Sequence, residues 1–187
     1  YEEALAERNR LLKEGQFDDR WLSSIEHGLA TEGIAVAAAR REMVRELQGH
    51  LLTDSPLPNP PPQAGEGIFP SPLLSLSGVE NWLDDMPALL AEDRLRAELA
   101  RSRRLDAAAG GTSPGPHRSD LLAIHPDKAM PAALCSTGEQ KALLISLILA
   151  HGEIIRARRG SPPILLLDEV AAHLDETRRE SLFERLL

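Results

Sequence analysis

Four branched apolar residues followed at once by two acids, Ile164-Leu165-Leu166-Leu167-Asp168-Glu169, restrict the fold more than any other feature of the chain. A continuous apolar run suits a central strand buried on both faces, and such strands belong to α/β sheets covered by helices. Ligands of open α/β sheets gather beyond the carboxyl ends of the strands, which would put Asp168 and Glu169 where a nucleotide binds. Successive strand residues point to opposite sides. Two adjacent acids can therefore divide the work of a Walker B motif, the first holding Mg²⁺ and the second polarising the attacking water. Asp and Glu also end strands and begin turns, so the hexapeptide alone leaves a purely structural reading open.

The surrounding pattern supports the α/β assignment. Leu121-Leu122-Ala123-Ile124 is a short strand candidate, Glu139 to about Ile155 reads as a helix, Ile164–Leu167 as a strand, and Glu176 onward as a helix. Upstream, residues 1–52 are rich in Glu, Ala, Leu and Arg. Val36, Met43, Leu47 and Leu51 recur at helical spacing there, and Gly15, Gly28 and Gly33 are expected to divide the stretch into three helices of an arm or lid. Residues 53–78, with Pro56, Pro58, Pro60, Pro61 and Pro62, read as a Pro/Gly-rich disordered insertion, since proline fixes φ and removes donors. Helical patterning resumes over 79–110 as the second part of the arm. Gly110-Gly111-Thr112-Ser113-Pro114 then opens the segment 111–187.

The formal net charge of −8 argues against phosphate-backbone binding by the chain as a whole. Its distribution softens that argument. Residues 1–110 hold 12 Lys+Arg against 19 Asp+Glu, whereas residues 111–187 hold 9 against 10. The arginines 94, 96, 101, 103 and 104 make one helix half basic, but Glu92, Asp93, Glu98 and Asp106 lie between them, so a solvated surface competes with a DNA-facing strip. The single cysteine, Cys135, cannot form an internal disulfide, and no segment approaches the roughly 20 apolar residues of a membrane span. A soluble cytoplasmic protein with no membrane partner is expected. Tyr1 is not an initiator methionine and the last residues read as mid-helix, so the chain is expected to be a piece of a longer protein.

Cys135-Ser136-Thr137-Gly138-Glu139-Gln140-Lys141 carries the second chemical signal. A Ser/Gly turn opening a helix offers free amides and the positive end of the dipole to a phosphate. Ser136 and Glu139 also fit an S-x-x-E capping box, which explains both residues without any ligand. The two readings compete, because a hydroxyl engaged with its own helix is less free for a phosphate.

Order shifts the balance toward the phosphate reading. A helix-opening S-x-G-x-Q turn, an apolar strand ending in Asp-Glu, and then Ala171-Ala172-His173-Leu174-Asp175 follow the sequence of signature, Walker B and D-loop in ABC-type ATPases. Ser136–Ala142 with Pro163–Val170 resembles the RecF family of replication and repair proteins. Gly115-Pro116-His117-Arg118-Ser119-Asp120-Leu121 is similar to that family's Gly-Pro-His-Arg-Asp-Asp-Leu stretch, and Arg8-Asn9-Arg10-Leu11-Leu12-Lys13 to its Arg-Asn-x-Leu-Leu-Lys segment. Ser119 stands where an acid is usual, and Cys135 where a leucine is common before the signature serine.

The resemblance implies the C-terminal part of an ABC-type P-loop NTPase head with a helical arm or lid subdomain. It implies ATP and Mg²⁺ as cofactors, and a homodimer closed through ATP. Ser136, Thr137, Gly138 and Gln140 would contact nucleotide held by the partner, with Asp175 at the dimer interface. Asp168 would hold Mg²⁺, and Glu169 would be the catalytic acid. The implied function is ATP-dependent binding of single-stranded or junction DNA, with a weak DNA-stimulated ATPase and help to recombinase loading alongside other recombination mediator proteins. His117 and Arg118 could face nucleotide or DNA, or simply satisfy one another's surroundings. The chain contains no G-x-x-x-x-G-K-[S/T], so by itself it is expected to bind ATP poorly and hydrolyse none. Rival readings are a head of another structural-maintenance-of-chromosomes or RecN-like ATPase, a transporter nucleotide-binding subunit, and a non-catalytic helical interaction module.

Overall fold

A computed structural model describes residues 1–15, 18–53 and 69–168, together with 170, 174, 176, 179, 180, 182 and 183. The chain forms two compact units. One comprises Tyr1–Met43 and Leu76–Leu121, the other Val44–Ser75 and Leu122–Leu187.

The first unit is helical. α1 (Glu2–Glu14) ends where Gly15 adopts a left-handed conformation, φ 70°, and its amide caps Leu11 O. α2 (Asp19–Thr53) then runs without a break through Gly28 and Gly33, so two helices replace the expected three. The glycines are absorbed for different reasons. A Cβ at Gly33 would lie 3.1 Å from Leu95 Cδ2, 3.2 Å from Tyr1 Cε2 and 3.3 Å from Pro116 Cδ, so this glycine permits close packing. Gly28 has open space around it and gives nothing back for its helix cost. Gly28→Ala should therefore stabilise the protein by about 0.5–1 kcal/mol, read as a raised urea midpoint at unchanged m-value. An unchanged or lowered midpoint would show that this turn of α2 needs the missing side chain.

The expected single helix over 79–109 is interrupted. A 3-10 turn (Val79–Asn81) leads into α3 (Trp82–Asp85), and Pro87 stands before α4 (Ala88–Ala109), which Gly110 closes at φ 73°. Proline cannot donate within a helix and disfavours helical backbone at the residue before it, here Met86. Leu5, Leu29, Ile34, Val79, Leu95 and Leu99 form this unit's main apolar core. Each such side chain taken from water contributes about 1.5–3 kcal/mol.

The second unit holds α5 (Thr137–Arg159) and a three-stranded sheet in the order β1 (Leu73–Leu76), β2 (Leu121–His125), β3 (Met130–Pro131). β2 and β3 are antiparallel, with Ile124 opposite Pro131 and His125 opposite Met130. β1 lies inside the stretch 53–78 that was expected to be disordered, and residues 54–68 of that stretch lie outside the described residues. The segment before β1 is fixed by side-chain hydrogen bonds. Gln48 Nε2 donates to Pro72 O at 3.3 Å, Leu74 N donates to Gln48 Oε1 at 2.7 Å, and Ser146 Oγ donates to Pro70 O at 2.8 Å.

The expected strand Ile164–Leu167 is not part of a ladder. Ile164 and Leu166 are 92% and 93% exposed, whereas Leu165 and Leu167 pack with Phe69, Ile145, Leu149, Val170, Leu174 and Leu182. The apolar run thus covers α5 with alternate residues and leaves its other face open. Glu176, Arg179, Glu180, Leu182 and Phe183, the described residues of the expected last helix, are helical. Among the described residues no helix is long and apolar enough to cross a membrane.

Candidate functional site

Ser136 opens α5 from an extended conformation, φ −62° and ψ 157°, and forms the complete capping box. Ser136 N and Ser136 Oγ both donate to Glu139 Oε2, at 2.9 and 2.8 Å, while Glu139 N reaches back to Ser136 Oγ at 3.4 Å. Thr137 and Gly138 occupy the first helical positions, whose amides have no partner within a helix. Ser136 and Thr137 are exposed, and a Cβ at Gly138 would meet no atom within 4 Å. The surface above the first turn is open to an anion.

Two side chains set this turn. Gln140 Nε2 donates to Ala133 O at 3.2 Å and to Cys135 O at 3.1 Å, stapling the loop that enters the helix. Lys128, on the turn between β2 and β3, places Nζ 2.5 Å from Glu139 Oε1. Lys128 first, and then the Ser136 hydroxyl and amide, hold the Glu139 carboxyl down to about 2. The reciprocal hydrogen bond with Glu139 raises the Lys128 ammonium above its ordinary value.

Further along the same helix, Pro163 lies beside Gly152, and Leu165 and Leu167 pack beside Ile145 and Leu149. The apolar run is thereby seated on the helix that begins at Ser136. It ends at Asp168, which is exposed. Glu169 and Asp175, read from sequence as the catalytic acid and the interface residue, lie outside the described residues. Among the described residues no three His, Cys, Asp or Glu side chains are grouped as a metal site.

The remaining motif residues meet in the first unit. Arg8 is 0% exposed, and its guanidinium donates to Glu26 Oε1 (3.0 Å), Asp106 Oδ2 (2.8 Å), Thr112 Oγ1 (2.6 Å) and Leu99 O (2.7 Å). Asn9 Oδ1 accepts from both the amide and the hydroxyl of Thr112, at 2.9 and 2.7 Å. On the other side of the same residue, Thr112 O accepts from His117 Nε2 at 2.9 Å and from Arg118 Nε and Nη2 at 3.3 and 3.2 Å. A carbonyl can only accept, so Nε2 carries the His117 proton and Nδ1 accepts from the Tyr1 hydroxyl at 2.8 Å. Burial pushes that phenol up to about 12, keeping it a donor. Thr112 therefore joins the Arg8-Asn9 and Gly115-Pro116-His117-Arg118 motifs, with His117 half-buried between Tyr1 and Thr112 and Arg118 exposed.

The basic half of α4 is partly neutralised. Arg94 pairs with Glu98 and lies 4.1 Å from the centre of the Trp82 ring, Arg96 pairs with Asp93, and Arg103 forks onto Glu26 and reaches Asp19. Arg101 and Arg104 remain exposed, with no ion pair among the described residues.

No family model matches the chain. Curated relatives do. The chain is 50% identical over its full length to a DNA replication and repair protein RecF of Mesorhizobium japonicum, and 51% identical, again over its full length, to one of Allorhizobium ampelinum. The chain belongs to the RecF family. It spans 47% of the length of those relatives. Among solved structures, "recombination mediator protein RecF-ATPrS in RecFOR pathway" matches with a TM-score of 0.77 and 23% identity, over 99% of this chain and 48% of that one. The corresponding RecF-ATP structure matches with a TM-score of 0.75 and 24% identity, over 100% of this chain and 48% of that one. The fold is thus that of RecF, α/β with a helical part. At the turn that opens α5, Lys128 carried no sequence signal, because a lone lysine in a Pro-Asp-Lys-Ala turn reads as ordinary loop surface.

Proposed function

We propose that the chain forms part of an ATP-dependent DNA-binding protein of replication and recombinational repair. In this reading it supplies the signature half of one composite nucleotide site and the Walker B acids of another. A single observation supports this most. One helix, α5, opens at an exposed capped turn and also carries the packed apolar run that leads to Asp168, which links the two motifs within one compact unit.

The residues fit the groups they would hold. An exposed first helical turn with open space over Gly138 suits a phosphate. Mg²⁺ takes only one or two protein carboxylates and draws its other ligands from water and phosphate, so the exposed Asp168 is a sufficient anchor. When bound, Mg²⁺ would neutralise charge on the transferring phosphoryl group. In this reading Ser136, Thr137 and Gly138 bind nucleotide held by a second copy, Gln140 keeps their turn in place, and Asp175 lies at the interface of the pair. Glu169 accepts a hydrogen bond from water and orients it. ATP acts as the linker of a homodimer, so binding favours the closed pair and hydrolysis releases it. DNA, single-stranded or at junctions, and other recombination mediator proteins are the proposed partners. Arg101 and Arg104 are the α4 cations best placed to meet a phosphate backbone, since Arg94, Arg96 and Arg103 are already paired.

In the complete protein, Glu169→Gln should cut turnover by about 10²- to 10⁴-fold, as expected for loss of a group that handles the attacking water. The ATP-bound dimer should at the same time accumulate in sedimentation velocity. If turnover and ATP-dependent dimerisation are both unchanged, the catalytic reading is wrong and a non-catalytic interaction module remains.

A further inference from the structure

We propose that Lys128 is a positioning residue for nucleotide capture, cancelling the charge of the helix-capping Glu139 so that a polyphosphate can reach Ser136 and the first amides of α5. The inference rests on the nucleotide reading of the signature turn given above.

The capping box creates an electrostatic conflict. Its third-position acid places a carboxylate oxygen 2.8 Å from Ser136 Oγ and 2.9 Å from Ser136 N, on the groups that a triphosphate would have to approach. Glutamate is a good cap because it is anionic beside the positive end of the helix dipole. The same charge repels an incoming phosphate. Glu139 cannot relieve the conflict by taking up a proton near neutral pH, since its carboxyl is held at about 2.

Lys128 supplies the missing positive charge. Its ammonium meets Glu139 Oε1, the oxygen not used by Ser136, so cap and counter-ion do not compete. The β2–β3 turn is shaped to deliver it. Ala129 is held at φ 49°, the positive-φ non-glycine residue of the described chain, and its amide closes on His125 O at 2.9 Å. A left-handed alanine is disfavoured by its Cβ, so the turn conformation is imposed by its surroundings. Lys128 is half-exposed and buries little, which argues against a packing role.

A charge-rescue series in the complete protein separates this role from that of an ordinary surface ion pair. The half-saturating ATP concentration for dimerisation is read by sedimentation velocity. Lys128→Met should raise it about tenfold, the size expected for one uncancelled charge a few ångströms from a phosphate. Lys128→Arg should stay within about twofold of the parent, because the charge is kept. Adding Glu139→Gln to Lys128→Met should restore capture, since glutamine still completes the capping box without the charge. Glu139→Gln alone should bind at least as tightly as the parent, which keeps the test decisive should Lys128→Met fail to fold. An unchanged response in Lys128→Met, an absence of rescue in the double variant, or weaker capture by Glu139→Gln would each overturn the proposal. Ser136→Arg marks the underlying reading. If that variant still dimerises with ATP like the parent, the signature assignment fails. If it abolishes dimerisation while Lys128→Met does not weaken it, only the role of Lys128 fails.

Discussion

Arg8→Met is expected to lower the stability of the protein by about 3–5 kcal/mol, the usual cost of removing one partner from a buried ion pair, with a fall in Tm of roughly 10 °C for a chain of this size. Methionine fills most of the volume, so the loss is one of charge and donors rather than of packing. Asp106, 1% exposed, would keep Ser102 Oγ at 2.6 Å and Ser113 Oγ at 2.6 Å but lose its cation. Glu26, also 1% exposed, would be left with Arg103. Lysine at position 8 should fall between, because one ammonium cannot span acceptors as far apart as Glu26, Leu99 O and Thr112 that the planar guanidinium serves together.

The same substitution changes the response to acid. Burial pushes the Asp106 carboxyl up, but the hydrogen bonds from Ser102, Ser113 and Arg8 together outweigh it and hold the group below its ordinary value. A depressed folded-state carboxyl contributes stability above its unfolded value near pH 4, and that contribution is lost as pH falls through the folded value. Without Arg8 the carboxyl is less depressed, so the contribution is smaller and is lost at a higher pH. Urea midpoints for parent and variant at pH 7 and pH 3.5 should therefore differ less at the lower pH. A constant difference would mean that Arg8 does not set the Asp106 titration, and an Arg8→Met protein within about 1 kcal/mol of the parent would mean that the Arg8 network adds specificity without stability.

Local chemistry was the part of the fold that could be read in advance. The S-x-x-E box at Ser136 and Glu139 involves residues three apart and needs nothing else, so sequence and structure agree on it. Gly15 and Gly110, both read as breaks, close helices in left-handed conformations for the same local reason. Residues settled by distant partners were not legible. β1 sits beside Pro70 and Pro72 in a stretch whose composition reads as disorder, and Gln48, some 25 positions earlier, brackets it with both ends of its amide. The apolar run at 164–167 read as a central strand buried on both faces, whereas only Leu165 and Leu167 pack against α5, an alternation that four aliphatic side chains in a row do not reveal. At the site, Arg8-Asn9 and His117-Arg118 were recognisable as motifs long before their purpose was. Their meeting point, Thr112, is a single polar residue more than a hundred positions from Arg8 and has no pattern of its own.

Ser119 shows where following the family would mislead. The Gly-Pro-His-Arg-Asp-Asp-Leu stretch that residues 115–121 resemble has an acid here, yet Ser119→Asp should destabilise this chain by about 2–4 kcal/mol at pH 7, because it sets a second carboxylate against a buried one. Glu80 is 1% exposed and accepts the Ser119 hydroxyl on Oε2, while its Oε1 has Arg40 Nη1 at 3.4 Å. Arg40 already donates to Pro116 O at 2.5 Å, so it is poorly placed to neutralise two acids. Space is short as well. Gly78, at φ 102°, packs so closely on Ser119 that a Cβ there would run into its hydroxyl and lie 3.2 Å from its Cα. The new carboxyl, forced to ionise beside Glu80, would have a folded-state value above its unfolded one. The folded state then binds more protons, and the deficit is full above the folded value and shrinks as pH falls toward about 4. Urea midpoints at pH 7 and pH 5 should reveal that recovery, and Glu80→Gln in the same background should remove most of the deficit at both. A neutral Ser119→Asp at pH 7 would show instead that Arg40 can leave Pro116 and bridge the pair, making an acid at 119 interchangeable with the serine and Glu80 a spectator.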